Sequence, residues 1–481
     1  MDRLDVPAES EDSASPAKPV ATSRLVRGSR LGAVVAAQAV RKRRTRLSMI
    51  GRSAAARERL ADESTMKMAE QLVVVLGDMK GLAMKLGQFL SMLDLDLVPP
   101  DQRESFQSRL AVLRDQAPAV DFDTMRRVVE EERGAPLERL FAEFDPEPVA
   151  AASIGQVYRA RLPDGTEVAV KVQYPGIDAA VRADLRNIGM LRFLIAQFLP
   201  GFTVAVLDEF RSTVLNELDY TTEARTQAQV ADLFTDHPFI SVPRAFPELG
   251  SAHVLVTEFC AGTPFEAMRA LPDAERDRLG EIVYRFYVGS LYEFGEFCGD
   301  PHPGNLLLRP DGRLAFLDFG LYKRMDKGHM AFEVACLRAA AEDRHDDLYR
   351  LMVDRGVIDE IAGVTAEECC EYVLAASEWC LVDEPLPITP DLASGAFLMA
   401  IDPRLAEFSG MRRQNLPPEH LFSRRADFMT FGTLGQLRAT ANWHRIAREW
   451  LYDDEPVTEL GAQHRIWRRQ RERDGAPVTG A

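Results

Sequence analysis

The chain has 481 residues, enough for about two to four domains, since domains usually hold roughly 100–200 residues. With 46% hydrophobic and 27% charged residues, it can bury a core, which excludes a wholly disordered or fibrous protein. The 58 Lys and Arg against 74 Asp and Glu give a formal net charge of −16. General nucleic-acid binding is therefore not expected.

Positive charge is concentrated near the start of the sequence. Between Lys18 and Leu60 there are twelve Lys or Arg residues and one acid, Glu58. The densest part, residues 41–46, follows an apolar run at residues 31–40. Such a run of charge is often only the solvated face of a helix. It also suits contact with anionic lipid, where each cation gains about 1 kcal/mol, and both interpretations stay open.

Cysteine usage and the N-terminal sequence predict a reducing, cytoplasmic location. The six cysteines do not suit a disulfide scaffold, and neither they nor the eight histidines show the spacing of a zinc site. Residues 1–20 are acidic and rich in Ser, Ala and Pro, unlike a secretory signal. The apolar segment 189–207 contains Arg192, Gln197 and Pro200, so no spanning helix is expected there. A peripheral position on the inner membrane face stays open.

The first part of the chain is predicted to contain a tail, a helical extension and a β-hairpin. Residues 1–23 predict a disordered tail, and residues 24–120 predict helices because they contain no strand-like run of β-branched residues. From residue 145 apolar and polar side chains begin to alternate. Gln156–Leu162 and Thr166–Gln173 flank a Pro-Asp-Gly turn and predict an antiparallel hairpin.

The rest of the chain is predicted to be mostly helical, with short strands near the motifs. Helices are expected within 178–230, 265–297 and 329–470. Strands are expected at Val254–Phe259 and on both sides of the turn Pro310–Gly312. Four tryptophans are expected to pack among the C-terminal helices, namely Trp379, Trp443, Trp450 and Trp467.

Two carboxylates and a carboxamide lie on either side of this last turn. They are Asp300 and Asn305 in Asp-Pro-His-Pro-Gly-Asn, and Asp318 in Asp-Phe-Gly. Mg²⁺ prefers such hard oxygen ligands, and protein kinases carry Asp-x-x-x-x-Asn and Asp-Phe-Gly in this order. The alternative is that both aspartates are ordinary turn acids. The two motifs in order, divided by a strand-turn-strand pattern, favour phosphoryl transfer.

A lysine on the predicted hairpin fits the same chemistry. Lys171 follows Val-Ala-Val in the second strand, where kinases carry a lysine that contacts phosphates. A hairpin lysine can also be a solvated edge residue, but both neighbours of this one are apolar. Its expected acid partner is Glu217, predicted on the following helix, with Asp219 and Glu223 as the competing choices.

The segment before the hairpin, Ala150–Gln156, stands where kinases have the glycine-rich loop that covers nucleotide phosphates. It contains three consecutive alanines and a single glycine, Gly155. Because glycine gives the backbone most freedom to approach a ligand, we expect a stiffer cover over the phosphates here.

Together these motifs resemble the UbiB family of atypical protein-kinase-like proteins, also called the AarF or ADCK group. The alanine-rich segment is typical of that family, as are Lys85-Leu-Gly-Gln88 and Glu217-Leu-Asp219. The resemblance implies an α+β, bilobal protein-kinase-like fold with a helical N-terminal extension and a mostly helical C-lobe. The predicted divisions are a tail at 1–23, the extension at 24–120, an N-lobe at 121–262, a C-lobe at 263–470 and a flexible tail at 471–481.

The resemblance also implies a role for each motif residue around ATP or ADP and Mg²⁺. Lys171 would contact the nucleotide phosphates and Asp300 would hold the catalytic-loop position, while Asn305 and Asp318 would bind the metal. Further nucleotide contacts would come from Ala151, Ala152, Ser153, Gly155, Glu258 and Cys260.

Other features concern the phosphoryl acceptor. Lys85 and Gln88 are three residues apart, on one helix face, and by resemblance would lie over the active site. The family usually has His-Ala-Asp in the catalytic loop, whereas this chain has Cys298-Gly-Asp300, and no Ala-Pro-Glu follows Asp-Phe-Gly. ATP hydrolysis or action on a small or lipid-like molecule is therefore expected over protein phosphorylation.

The predicted function is an atypical kinase or ATPase that binds MgATP. By resemblance it would act in isoprenoid-quinone or lipid metabolism at a membrane surface, with the nucleotide, an anionic lipid surface and proteins of that pathway as partners. Two alternatives stay open. One is a catalytically weak nucleotide-binding pseudokinase that regulates or scaffolds a biosynthetic complex, which Cys298 favours. The other is a small-molecule kinase of the antibiotic-phosphotransferase kind.

Overall fold

The computed structural model of the chain describes residues 120–186 except 153, 211–358 except 213, 363–393 and 418–475. The predictions for the tail at 1–23, the basic segment, Lys85 and Gln88, and the segment 189–207 lie outside the described residues. The described chain forms a smaller lobe built on a sheet and a larger, mostly helical lobe. The predicted α+β fold class is confirmed.

The elements alternate between short strands and helices before the last motif and are mainly helical after it. In chain order they begin with α1 Phe122–Arg133, α2 Leu137–Leu140, β1 Glu143–Ala151, β2 Gly155–Arg161, β3 Glu167–Gln173, α3 Tyr220–Leu233, β4 Ile240–Ser241, β5 Val254–Glu258, β6 Thr263–Pro264 and α4 Phe265–Met268. They continue with α5 Asp273–Tyr284, α6 Ser290–Phe294, β7 Glu296–Cys298, β8 Leu306–Leu308, β9 Leu314–Phe316, β10 Tyr322–Arg324 and α7 Lys327–Ala341. The last elements are α8 His345–Asp354, α9 Ala366–Leu381, β11 Leu386–Pro387, α10 Pro418–Leu437, β12 Thr440–Ala441, α11 Trp443–Leu451 and α12 Glu459–Arg473.

The predicted hairpin is confirmed as β2 and β3, joined by a turn in which Gly165 has a left-handed φ of 90°. Val168, Val170 and Val172 alternate along β3 and are fully buried on one face of the sheet. Lys171 therefore points to the opposite face. β1 and β5 pair with the two sides of the hairpin, which gives an antiparallel sheet in the order β1-β2-β3-β5.

Short strands of the larger lobe frame the functional motifs. One small sheet has the order β4-β9-β8-β6, and β7 pairs with β10. β8 and β9 flank the turn around Gly312, as predicted. Asp300 lies between β7 and β8, and Asp318 follows β9, so both motifs stand at strand ends.

Aromatic packing holds the larger lobe together around α5, the π-helical segment Arg285–Gly289 and α6, which continue one another. Phe286 stacks on Phe316 of β9, with 3.7 Å between the ring centroids. Tyr284 contacts three tryptophan rings, each 5.3 Å away between centroids, namely Trp379, Trp443 and Trp450. These contacts join the C-terminal helices to the strands that carry the motifs.

The last helix, α12, packs back onto the end of α3. Trp467 stacks on Phe234, and its indole N–H donates to the Thr235 carbonyl at 3.0 Å. His464 and His237 are both buried, and their ring nitrogens lie 2.9 Å apart. The packing predicted for the four tryptophans is thus confirmed. α12 ends three residues inside the range predicted as a flexible tail.

Candidate functional site

Lys171 forms a buried ion pair beneath the hairpin. Its ammonium lies 3.1 Å from a carboxylate oxygen of Glu223 in α3 and 4.7 Å from the ring centre of Tyr220. The lysine and glutamate side chains are 21% and 3% exposed. Burial opposes the charge of Lys171, but the Glu223 carboxylate, with smaller contributions from Tyr220 and Asp318, outweighs it and raises the pKa of the lysine well above its usual value. The ammonium therefore stays charged.

The predicted pairing of Lys171 with Glu217 is wrong, because Glu217 precedes α3 rather than lying on it. Glu217 lies in a turn. The side-chain amide of Gln173 donates to the carbonyl of Leu218, the residue after Glu217, at 3.1 Å and fixes that turn. Asp219 caps α3 by accepting a backbone N–H at 2.9 Å. Glu223, the third acid considered, lies in the first turn of α3 and reaches the lysine.

Carboxylates from both lobes meet around Gly320 of Asp-Phe-Gly. A methyl group placed on Gly320 would lie 3.4 Å from an Asp318 oxygen, 3.5 Å from a Glu223 oxygen and 3.8 Å from the Glu217 side chain. The Asp318 and Glu223 oxygens are therefore within about 7 Å of each other. Burial raises the pKa of Glu223 to about 7; the Lys171 ammonium opposes this shift and the Asp318 carboxylate adds to it.

Backbone pairing brings Asn305 and Asp318 to the same strand end. The Leu317 amide donates to the Asn305 carbonyl at 3.0 Å, which continues the pairing of β8 with β9. Asp318 is the next residue, and its carboxylate accepts the Gly320 amide at 2.9 Å. The two side chains predicted to bind the metal therefore start from adjacent points of the backbone.

Asp300 is supported by α10, and no sequence pattern indicated this contact. Its carboxylate lies 3.6 Å from the guanidinium of Arg425 on α10. The same helix touches this loop again, where the Thr433 hydroxyl donates to the Pro301 carbonyl at 3.2 Å. No spacing or motif could have identified Arg425, which is 125 positions from Asp300 in the sequence.

Cys298 occupies the position where the family usually has histidine. Its thiol is buried and lies 3.7 Å from the Asp318 carbonyl, and burial raises its pKa well above the usual range. Cys298 also stands opposite Tyr322 in the pairing of β7 with β10. The cysteine therefore keeps a packing role, because it joins the segment before Asp300 to the segments around Asp318.

The connection from Asp-Phe-Gly to the next helix is short and structured. Residues 319–326 alone separate Asp318 from α7, and β10 lies among them. Asp326 caps α7 by accepting the backbone N–H groups of Gly328 and His329. This connection therefore contains no long loop.

The alanine-rich segment forms the end of the pairing between β1 and β2. Ala150 and Ala151 belong to β1 and pair with β2. Ala152 closes the turn by donating its amide to the Gly155 carbonyl at 2.8 Å, and Gly155 is the first residue of β2. Ser153 lies outside the described residues. The predicted cover is thus a tight hairpin end, and its contact with a nucleotide stays a prediction.

The connection between the lobes carries Glu258 and Cys260. Glu258 ends β5, and its backbone N–H donates to the Arg244 carbonyl at 2.7 Å. The Cys260 thiol accepts from the guanidinium of Arg309, 3.8 Å away in the larger lobe. Both residues lie at the junction of the lobes, and their contact with adenine stays a prediction.

The arrangement of the site is that of a protein-kinase-like protein. A strand lysine pairs with a helical glutamate, and Asp-x-x-x-x-Asn and Asp-Phe-Gly lie at adjacent strand ends. A family model described as the ABC1 atypical kinase-like domain matches residues 112–352. The chain belongs to this family. The resemblance to the UbiB, AarF or ADCK group, inferred from the motifs, is confirmed.

Similar proteins include members from chloroplasts, mitochondria and bacteria. The chain is 38% identical over 229 residues to the chloroplastic Protein ACTIVITY OF BC1 COMPLEX KINASE 1 of Arabidopsis thaliana. The matched region covers 45% of this chain and 33% of that protein. It is 31% identical over 280 residues to the mitochondrial Atypical kinase COQ8B of Rattus norvegicus, covering 58% and 52% of the two chains. The chain thus spans about a third of the plant relative and about half of the rat relative.

A solved structure is similar over nearly its whole length. Rv3197 from Mycobacterium tuberculosis, in complex with erythromycin, is 32% identical and superposes with a TM-score of 0.59. The match covers 82% of this chain and 98% of that one. It agrees with the protein-kinase-like fold.

Proposed function

We propose that the cleft around Lys171, Glu223 and Asp318 binds MgATP, and that the protein is an atypical kinase or ATPase. The observation that carries the proposal is the meeting of one ammonium with carboxylates from both lobes around Gly320. Membership of the ABC1 family supports it, because kinase-like domains use such a set to bind the nucleotide and its metal.

The residues present fit Mg²⁺. Asp318 and Asn305 offer oxygen ligands of the kind that Mg²⁺ combines with nucleotide phosphates. Around Gly320, the Asp318 carboxylate approaches the ion pair of Lys171 and Glu223, so a second carboxylate stands beside the ammonium where a divalent cation could bind. When bound, Mg²⁺ supplies charge neutralisation for the phosphoryl group that is transferred.

The side chains of the cleft would then have separate tasks. Lys171 would bind the nucleotide phosphates, and Glu223 would hold the ammonium in position from α3. Asp300 would accept a proton from the attacking hydroxyl group or water, while Arg425 would orient its carboxylate. The two metal ligands would come from neighbouring strand ends of the larger lobe.

ATP turnover by the full-length protein tests the proposal. Asp318→Asn should lower Mg²⁺-dependent turnover by at least about tenfold, since mutating even an outer-shell partner of a metal ligand typically costs about tenfold to a hundredfold. Asp311→Asn is the matched control, since that carboxylate lies in the turn between β8 and β9 and pairs with Arg313 at 2.8 Å. If Asp318→Asn and Asp311→Asn both turned over ATP like the wild type, the proposal would be rejected.

We also propose a small or lipid-like acceptor at a membrane surface, in isoprenoid-quinone or lipid metabolism as the motif resemblance implies. The cations at 41–46 and the short connection from Asp-Phe-Gly to α7 support this. Within the described ranges, no helix combines the length and the apolar composition that crossing a bilayer requires.

Vesicle binding tests the membrane part independently of turnover. Replacing the basic residues of 41–46 with glutamine should weaken binding to anionic phospholipid vesicles by at least about a hundredfold, since each cation contributes about 1 kcal/mol. The wild-type affinity should also fall with added salt. The control replaces Arg469, Arg471 and Arg473 of α12 with glutamine. It removes three cations from another part of the chain and should weaken binding less than the 41–46 variant does. Equal binding by the 41–46 variant and the wild type would contradict the proposal.

A further inference from the structure

Three metal-ligating side chains of different kinds meet in the larger lobe, away from the cleft. They are Asp343, in the turn after α7, His345, the first residue of α8, and Cys370 on α9. A carboxylate oxygen, a ring nitrogen and the thiol sulfur of these residues all lie within 4.8 Å of one another. The group therefore combines the turn between α7 and α8, the start of α8, and α9, and these three helices share one buried core.

The fold presents the group to solvent from one side. Asp343 has a left-handed φ of 58°, and this turn reverses the chain so that His345 comes back beside it, 2.9 Å from ring nitrogen to carboxylate. The Asp343 and His345 side chains are 84% and 35% exposed, whereas Cys370 is 1% exposed. An ion could therefore enter past the two exposed ligands and meet the sulfur at the protein interior.

The donor set determines which ion is suitable. Mg²⁺ and Ca²⁺ prefer oxygen ligands alone, whereas sulfur, nitrogen and oxygen together are typical of Zn²⁺. Tetrahedral zinc holds its ligand atoms about 3.3–3.6 Å apart. The separations in this group, none above 4.8 Å, must therefore close by at most about 1.5 Å, while the His345–Asp343 separation of 2.9 Å must open slightly. Side-chain rotation of the two exposed ligands can supply that movement.

We propose that Asp343, His345 and Cys370 bind one Zn²⁺ ion, with water as the fourth ligand. On binding, the Cys370 thiol loses its proton to solvent and coordinates as thiolate. The ion would fasten the turn between α7 and α8 to α9. This site would be separate from the Mg²⁺ ligands of the cleft, and it does not depend on the proposed phosphoryl-transfer function.

Cobalt binding tests the proposal, because Co²⁺ takes the same ligands and absorbs light. Metal-free full-length protein, kept in excess Mg²⁺ to fill oxygen-only sites, would be titrated with Co²⁺. We expect one equivalent to bind with a thiolate-to-cobalt charge-transfer band and to be displaced by Zn²⁺. Cys370→Ser should abolish the band and His345→Ala should weaken binding by at least about tenfold.

Cys369→Ser is the matched control, since this neighbouring cysteine on α9 is equally buried and lies outside the group. It should keep the charge-transfer band. If Cys370→Ser failed to fold, Asp343→Asn and His345→Ala would serve instead, because both side chains are at the surface. A wild-type protein without the band, or a band that survives Cys370→Ser or His345→Ala unchanged, would overturn the proposal.

Discussion

Replacing Arg285 with methionine should strongly destabilise the larger lobe, because the arginine is the ion-pair partner of two buried carboxylates. Its side chain is 1% exposed. The guanidinium donates to Glu281 at 2.7 Å and to both oxygens of Glu449 at 2.8 and 2.9 Å. It also donates to the hydroxyl of Thr458, which caps α12, at 3.1 Å. The methionine would leave both carboxylates buried without their cation.

The expected loss follows from the cost of an unpaired buried charge. Removing one partner of a buried ion pair costs about 3–5 kcal/mol. At roughly 2–4 °C per kcal/mol for a lobe of about two hundred residues, the melting temperature should fall by about 6–20 °C.

Calorimetry on the full-length protein measures this loss against a matched variant. Arg278→Met removes an arginine from the adjoining helix, α5, but that guanidinium is partly exposed and its pair with Glu275 is worth less than about 1 kcal/mol. The reasoning would be refuted if Arg285→Met melted within about 2 °C of the wild type, or if the two variants lost the same amount.

Two further predictions concern pH and backbone packing. Burial, and then the neighbouring His464 ring, lower the pKa of His237 well below its usual value, so the folded state binds fewer protons than the unfolded state. As the pH drops below about 6.5, the free energy of unfolding should therefore decrease, by up to about 1.4 kcal/mol per pH unit. Denaturant titrations at several pH values should show a smaller decrease for His237→Gln. An equal pH dependence of the unfolding free energy in the variant and the wild type would contradict the burial argument. Gly155→Ala should cost about 1–3 kcal/mol, because the new methyl group would lie 2.1 Å from the Val172 carbonyl oxygen. The control is Gly432→Ala in α10, where the new methyl group meets open space and should not destabilise the protein. If the two alanine variants had the same melting temperature, β2 and β3 would not need glycine where Gly155 faces Val172.

The parts of the fold that local patterns specify could be predicted from the sequence. The hairpin of β2 and β3 was predictable because alternating valines and a Pro-Asp-Gly turn lie within one short stretch. The strands around Gly312 followed from the same kind of signal. The order of motifs then predicted that Lys171, Asn305 and Asp318 belong to one site, although no local pattern states their distance.

The interactions that sequence reasoning missed depend on where distant elements meet. Glu217 and Glu223 both follow the hairpin, and the choice between them depends on α3 starting after Glu217, at the cap that Asp219 supplies. Arg425 reaches Asp300 from a helix far along the chain. The group around Cys370 lacks zinc-motif spacing, because helix α8 separates its first two ligands from the third.

Chemical labelling of Lys171 tests the central claim most directly. An acyl-phosphate derivative of ATP transfers its acyl group to lysines that lie beside the bound phosphates, and mass spectrometry identifies the modified residue. The account predicts rapid labelling of Lys171 in the presence of Mg²⁺, suppressed by excess MgATP, while Lys323 and Lys327 react slowly and without protection. Labelling of Lys171 no faster than these two lysines, or labelling that MgATP leaves unchanged, would contradict the account.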